Sequence, residues 1–207
     1  MKIALFGKMR SGKDTVGEML IKEYNFKRFA FGEGIGQIIE EYFPEALLEG
    51  KKPRHHYQFI GQQLRQLDED VWIKYLLKSV NEYEQQSEKS VRIVITDGRQ
   101  SNEAARLKEQ GFVIVKVEAP DEIRMERIIQ AGDQFTPELF QHETELQVDQ
   151  INPDYIITND KDLEHLDDQI AILLLELKAK QLGIPVELLL AAISLSQWSG
   201  NAGDYID

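Results

Sequence analysis

The stretch that decides the fold is GKMRSGKDT, residues 7–15. Gly7, Gly12 and Lys13 stand at the spacing of a phosphate-binding loop, in which two glycines separated by four residues are followed by lysine. The apolar run KIALF (2–6) precedes the loop and predicts a buried strand, and apolar residues at helical spacing follow it. The motif therefore has the strand–loop–helix context that phosphate binding requires.

A loop of this kind binds phosphate because its glycines permit a tight turn with the backbone N–H groups pointing inward. The N-terminus of the next helix adds positive potential, and Lys13 is placed to reach the β- and γ-phosphates. A glycine-rich connector that matches by chance is the alternative. The candidate nucleotide-binding residues of the loop are Gly7, Arg10, Ser11, Gly12, Lys13, Asp14 and Thr15.

Asp14 stands where this motif usually has Ser or Thr. A carboxylate beside a triphosphate is repelled unless Mg²⁺ lies between them, directly or through water. We therefore expect Asp14 on the metal side, with Thr15 supplying the hydroxyl group. An acidic residue in the first turn of a helix also has a simpler role, which is to complement the helix dipole.

Apolar runs alternate with helical patterns along the whole chain, which predicts an α/β fold. Further strands are expected at 26–31, 91–96, 112–117 and 154–158. Strands and helices in this order indicate a three-layer α/β/α arrangement, with a parallel sheet of about five strands covered on both faces.

The composition argues against several classes of protein. The chain has 207 residues, 42% hydrophobic and 29% charged, as in a soluble globular domain, and no apolar run approaches the ~20 residues of a membrane span. Cysteine is absent, which excludes disulfides and thiolate metal sites and favours a cytoplasmic location; we read no signal peptide. A net charge of −12 argues against a nucleic-acid polymer as partner, but a small phosphorylated ligand remains compatible with it.

Charged residues after the third predicted strand are candidates for the site. Asp97 follows the strand at 91–96, so it should lie at the carboxyl edge of the sheet, where α/β proteins bind ligands. There it would hold a magnesium-bound water or a substrate hydroxyl, or else cap the next helix. Arg99 would meet an anion or pair with a glutamate, and the sequence leaves both open.

Two pairs of arginines suggest contacts with phosphate. Arg54 and Arg65 lie in a polar stretch, and planar guanidinium groups suit an acceptor that already carries a phosphate; solvated surface charge is the alternative. Arg124 and Arg127 fall on one helix face beside 132–141, where the pattern breaks. A lid carrying them would neutralise the transferred phosphoryl group and exclude water, whereas an ordinary surface pair is the alternative.

The motif SGKDT (11–15) resembles the loop of deoxynucleoside monophosphate kinases of the bacteriophage type, within the adenylate-kinase-like group. Further similar motifs follow in the same order: R-x-x-x-Q-x-x-G from Arg54, D-G-R-x-x-N-E-A from Asp97, H-E-T-E at 142–145 and D-Y-I-I-T-N at 154–159. The resemblance covers roughly residues 1–175 of the chain. The segment FAFGEGIGQII departs from it, because similar proteins tend to have a plainer helix there.

This resemblance implies a P-loop kinase that transfers the γ-phosphoryl group of Mg²⁺-ATP to a (deoxy)nucleoside monophosphate. It implies one domain over 1–207, with an acceptor-binding arm at about 33–80, a lid at about 130–145 and an added C-terminal helix at about 184–196. Together with the motifs above, it implies that the catalytic residues are Lys13, Arg124 and Arg127. The residues expected to bind the acceptor are Arg54, Arg65, Arg99 and Glu103, and those expected to bind the metal are Asp14, Thr15 and Asp97. Asn159, after the last strand, is expected to meet the donor base.

The expected partners are therefore small-molecule nucleotides, with no nucleic-acid polymer and no membrane. The apolar segment ELLLAAI (187–193) predicts core packing or a homodimer contact. Two other functions stay open: a P-loop kinase for another phosphorylated small metabolite, and a protein that binds nucleotide without transferring phosphate.

Overall fold

The computed structural model describes residues 1–48, 50, 52–88, 90–131 and 143–191. The chain divides into two compact units, Met1–Asp162 and Leu163–Asp207. The strands are β1 (Lys2–Phe6), β2 (Lys27–Phe29), β3 (Ile93–Gly98), β4 (Val113–Glu118) and β5 (Tyr155–Thr158). The helices are α1 (Lys13–Lys22), α2 (Gly32–Tyr42), α3 (Arg54–Leu67), α4 (Val71–Gln86), α5 (Ser101–Glu109), α6 (Asp121–Gln130), α7 (Glu143–Asp149) and α8 (Leu163–Leu182), with a short 3₁₀ helix at Pro44–Leu47.

The five strands form one parallel sheet in the order β2-β3-β1-β4-β5, as the sequence predicted. The central strand β1 is apolar almost throughout because a parallel sheet is covered on both faces. The chain leaves β1 toward β2 and β3 on one side and continues to β4 and β5 on the other. This change of direction opens a crevice at the carboxyl end of β1, where doubly wound sheets bind ligands.

Helices cover both faces of the sheet, which confirms the three-layer arrangement. Phe6 of β1 and Ile95 of β3 belong to a buried core that also includes side chains of α2, α4 and α5. On the opposite face α1 lies close to the sheet: a Cβ added at Gly17 would come 2.7 Å from the Thr96 side chain, so only glycine fits there. The loop between β1 and α1 thus joins the buried central strand of the sheet to a helix packed closely on it.

The acceptor arm predicted at 33–80 corresponds to α2, the 3₁₀ helix, α3 and α4, and α2 packs against both α3 and α4. Its role as an arm stays a prediction. The lid predicted at 130–145 falls mostly on residues 132–142, which lie outside the described residues.

In the second unit, α8 ends at Leu182 and is followed by Gly183, whose φ of +69° is left-handed. The Gly183 N–H donates to the Lys180 carbonyl oxygen and the Ile184 N–H to that of Ala179, which satisfies the last turn. Residues 186–191 are helical, in agreement with the helix predicted at 184–196, and its remainder lies outside the described residues. Within the described ranges, none of the helices has both the length and the apolar character needed to cross a membrane.

Candidate active site

Both glycines of the loop are required by the space around them. A Cβ at Gly7 would come 2.6 Å from the Val117 carbonyl oxygen, and a Cβ at Gly12 would collide with the Asn159 side-chain amide. Gly12 also has a φ of +96°, a left-handed conformation that side chains disfavour. The loop therefore lies tightly between β4 and the end of β5.

Three side chains hold the carbonyl groups of the loop from outside; we call Arg124, Arg127 and Asn159 the loop brace. Arg124 Nε donates to the Met9 carbonyl oxygen at 2.9 Å, and Arg127 Nη1 donates to that of Arg10 at 3.2 Å. Asn159 Nδ2 donates to the Ser11 carbonyl oxygen at 3.0 Å.

The brace sets the direction of the loop amides. In a trans peptide the C=O and the following N–H point in opposite directions. Holding the oxygens of Met9 and Ser11 on the outside therefore turns the N–H groups of Arg10 and Gly12 toward the inside of the loop. Inward N–H groups at a helix N-terminus are what an anionic phosphate requires.

Arg124 is a buried member of the brace. Its side chain pairs with Asp121 at 2.6 Å and with Glu145 at 2.5 Å, and 1% of the residue is exposed. Both carboxylate oxygens of Glu145 accept the Met9 N–H at 3.0 Å, so Glu145 and Arg124 hold the two peptide groups that flank the Met9 Cα. In this geometry Arg124 supports the loop, and its role as a catalytic lid residue stays a prediction from the sequence.

Arg127 is half-buried on the same face of α6, as the sequence predicted. Its Nη2 donates to the backbone and side-chain oxygens of Asn159, both at 3.2 Å. Arg127 and Asn159 therefore join the end of β5 to the loop. Contact of Arg127 with a transferred phosphoryl group, and of Asn159 with a donor base, stay predictions.

Lys13 is the buried cation of the site, with 6% of the residue exposed. Burial, with a smaller contribution from the positive charge of Arg99, lowers the pKa of Lys13 to about 8 against the opposing effect of Asp14, Glu145 and Asp97. A bound polyphosphate would place negative charge beside this ammonium group, stabilise its charged form and raise its pKa.

A cleft of about 360 Å³ adjoins the loop. It is lined by four cations, which are Lys13, Arg28, Lys52 and Arg99, and by the carboxylates of Asp14, Glu33 and Asp97. In a chain with a net charge of −12, this local excess of positive charge indicates an anionic ligand.

Asp97 lies within β3 rather than after it, because Gly98 still pairs with Phe6 of β1. Its carboxylate accepts the N–H of Phe31 at 2.9 Å and of Gly32 at 3.0 Å. The capped helix is therefore α2 and not the following α5. A carboxylate has about four lone-pair sites, so Asp97 keeps acceptor capacity toward the cleft.

The residues at the start of α1 fit a magnesium ion that arrives with a nucleotide. Asp14 is exposed and lines the cleft, and Thr15 is half-buried beside it. In the part of the chain that the structure describes, no three acidic or histidine side chains cluster as a metal site. Mg²⁺ usually keeps several waters and binds one or two carboxylates together with substrate phosphates, and Asp14 and Asp97 would supply such carboxylates.

The predicted acceptor residues Arg54, Arg65 and Glu103 do not line the cleft. Glu103 is buried and accepts the N–H groups of Arg99 and Gln100, in a capping box at the start of α5. Burial raises the pKa of Glu103 to about 7 against these hydrogen bonds. Arg65 lies 3.5 Å from the Glu103 carboxylate, and Arg54 is an exposed residue at the start of α3.

The structure adds Arg28, Lys52 and Glu145 to the site. The motif at 142–145 includes Glu145, although sequence reasoning predicted no partner for it. Arg28 lies on the short edge strand β2, where its Nε donates to Thr96 Oγ1. Lys52 carries no signal, because it lies outside every motif.

The sheet order, the braced glycine loop and the buried lysine at the carboxyl end of β1 define a P-loop kinase fold. The family model described as AAA domain (AAA_18) matches residues 3–146, and the chain belongs to this family. None of the curated proteins matches the sequence.

Solved structures share the fold at low identity. TT1252 from Thermus thermophilus has a TM-score of 0.56 and 20% identity, over 86% of this chain and 97% of the other. Shikimate kinase from Acinetobacter baumannii has a TM-score of 0.51 and 17% identity, over 86% of this chain and 94% of the other. Dephospho-CoA kinase from Campylobacter jejuni has a TM-score of 0.50 and 14% identity, over 87% of this chain and 100% of the other.

We predict that Lys13→Met stabilises the ligand-free protein at pH 7, by on the order of 1–3 kcal/mol. The folded-state pKa of about 8 lies below the ordinary 10.5, so folding disfavours the charged lysine at pH 7. That cost disappears as the pH rises from about 8 toward 10.5. Urea unfolding at pH 7 and pH 10 measures it, with the exposed Lys22→Met as control. A destabilised Lys13→Met protein at pH 7 would contradict the prediction.

We also predict that Glu103→Gln stabilises the protein at pH 8 but not at pH 5. The raised pKa means that the wild-type protein loses stability as the pH rises from about 4.5 to about 7. Glutamine keeps the capping box without the buried charge. Thermal unfolding at the two pH values tests this, with Glu109→Gln at the exposed end of α5 as control. Equal shifts at both pH values would show that the carboxyl group does not titrate as stated.

Proposed function

We propose that this protein transfers the γ-phosphoryl group of ATP to the phosphate of a (deoxy)nucleoside monophosphate. One observation carries the proposal: a braced phosphate loop with a buried lysine shares that lysine with a cleft lined by four cations. A donor polyphosphate and an anionic acceptor would meet at Lys13.

The donor side of the reaction rests on the loop. Its inward N–H groups and Lys13 would bind the β- and γ-phosphates. Magnesium carried by the nucleotide would be held by Asp14, Thr15 and Asp97, where it would neutralise charge between the phosphates. Asn159 and Arg127 lie at the loop end nearest β5, which suits the remainder of the donor.

The acceptor side rests on the charge of the cleft. Asp14 and Asp97 are assigned to the metal, which leaves Arg28, Lys52 and Arg99 against two carboxylates: Glu33, which pairs with Arg28 at 3.0 Å, and Glu145, which lies 3.6 Å from Arg99. This excess favours an acceptor that already bears a phosphate over a neutral one. Arg99 is its nearest anchor, whereas the roles of Arg54 and Arg65 rest on the resemblance alone.

The chemical step needs no covalent enzyme intermediate. An oxygen of the acceptor phosphate attacks the γ-phosphorus, the bond to the β-phosphate oxygen breaks, and ADP leaves. The protein contributes position and charge: the loop fixes the donor, and Lys13 and Arg99 neutralise the oxygens between the two substrates.

A kinase for another phosphorylated metabolite is the second candidate. It is favoured by the glycine-rich start of α2, where Gly32 and Glu33 line the cleft in the segment that departs from the resemblance. The similar solved structures include kinases of shikimate and of dephospho-CoA, which supports a small metabolite as acceptor in general.

We expect ADP release from Mg²⁺-ATP when a panel of ribo- and deoxyribonucleoside monophosphates is supplied. Arg99→Ala should lower kcat/KM for the best acceptor about 10–100-fold, because a charge-assisted contact is lost. Arg92→Ala is the matched control, since Arg92 precedes the amino end of β3 and donates to the Tyr24 carbonyl oxygen. Phosphorylation of a different phosphate ester alone would favour the second candidate, and ATP binding without transfer to any acceptor would indicate a non-catalytic protein.

A further inference from the structure

Glu145 is a buried carboxylate that joins three separate parts of the first unit. Its two oxygens accept the Met9 N–H, both at 3.0 Å, and Oε2 accepts from Arg124 Nη2 at 2.5 Å. Oε1 lies 3.6 Å from Arg99 Nη1, and 3% of the residue is exposed. One side chain of α7 thus contacts the loop, the brace and an arginine of the cleft.

Arg99 differs from the two arginines of the brace. Its side chain is 41% exposed and lines the cleft, whereas the Arg124 side chain is 2% exposed. The Arg99–Glu145 distance of 3.6 Å is an ion pair and not a short hydrogen bond. A guanidinium group has five N–H donors, so this contact leaves most of them for a phosphate in the cleft.

We infer that Glu145 is a positioning residue for Arg99, and that Arg99 is the arginine that contacts the phosphoryl groups beside Lys13. Because Met9 and Arg124 fix the Glu145 carboxylate, it gives Arg99 an anchor at a set position relative to the loop. The inference rests on the proposed function only in that the loop binds polyphosphate, and it is independent of the acceptor.

A purely supporting role for Glu145 makes a different prediction. If Glu145 serves only to neutralise Arg124 and hold Met9, its loss and the loss of Arg99 weaken phosphate binding independently, and the two effects multiply. If Glu145 acts through Arg99, the two losses overlap, because the second substitution removes a contact that is already misplaced. A double-mutant cycle therefore separates the two roles.

The cycle uses magnesium tripolyphosphate as probe, since it carries neither a base nor an acceptor. Calorimetry would give its Kd for the wild type, Arg99→Ala, Glu145→Gln and the double variant. We expect each single substitution to weaken binding about tenfold and the double variant to fall at least fivefold short of the product of the two effects. A double effect within twofold of that product would overturn the inference.

Asp154→Asn is the matched control. Asp154 also accepts a backbone N–H, that of Ile114 at 2.9 Å, and pairs with a cation, Lys108, at 2.6 Å, but it lies at the amino edge of the sheet. The Asp154→Asn substitution should leave the Kd for tripolyphosphate unchanged and show no coupling to Arg99→Ala. If its coupling to Arg99→Ala were as large as that of Glu145→Gln, the inference would also be overturned.

Glu145→Asp serves if Glu145→Gln fails to fold, because it keeps a negative charge for Arg124 while withdrawing the carboxylate by one methylene. The same coupling to Arg99→Ala is expected, and independence would overturn the inference. Lack of tripolyphosphate binding by the wild type would instead overturn the loop assignment and the proposed function with it. If the wild type binds tripolyphosphate and the effects of the two substitutions are independent, the inference about Glu145 fails but the proposed function stands.

Discussion

The carbonyl groups of Met9, Arg10 and Ser11 are hydrogen-bonded on the outer side of the loop, and the chemistry of the site follows from that constraint. Peptide planarity transmits it to the N–H groups of Arg10 and Gly12, which turn inward, whereas the Ser11 N–H donates to the Lys8 carbonyl oxygen at 3.2 Å. The brace that imposes it comes from α6 and the end of β5, two elements distant in sequence. A loop held in this way pays little conformational entropy when an anion binds, because its geometry exists beforehand.

Charge is arranged around the same loop. The chain is acidic as a whole, yet burial keeps Lys13 poorly compensated and the adjoining cleft collects Arg28, Lys52 and Arg99. Buried Arg124, in contrast, has a carboxylate on each side, as a structural cation requires. Burial between two carboxylates therefore marks the arginine that supports the loop, whereas the cations that line the cleft are available to a ligand.

Sequence reasoning predicted the loop, the parallel sheet and the shared face of Arg124 and Arg127, because these depend on local spacing and strand–helix alternation. It did not predict that this face of α6 packs against the loop. Spacing shows which residues share a helix face, but it does not show which element that face contacts. Capping of the following helix was the alternative role for Asp97, but tertiary pairing brings the start of α2 to it instead. Glu145 lay in a quoted motif, and only the fold gives it Met9 and Arg99 as partners.

The central claim is that inward amides and Lys13 bind a triphosphate, and proton-linked calorimetry tests it most directly. Mg²⁺-ATP would be titrated at pH 8 in two buffers that differ in ionisation enthalpy. Because an anion raises the Lys13 pKa from about 8, binding should take up about half a proton per complex. The absence of binding heat, or binding without proton uptake, would contradict the account.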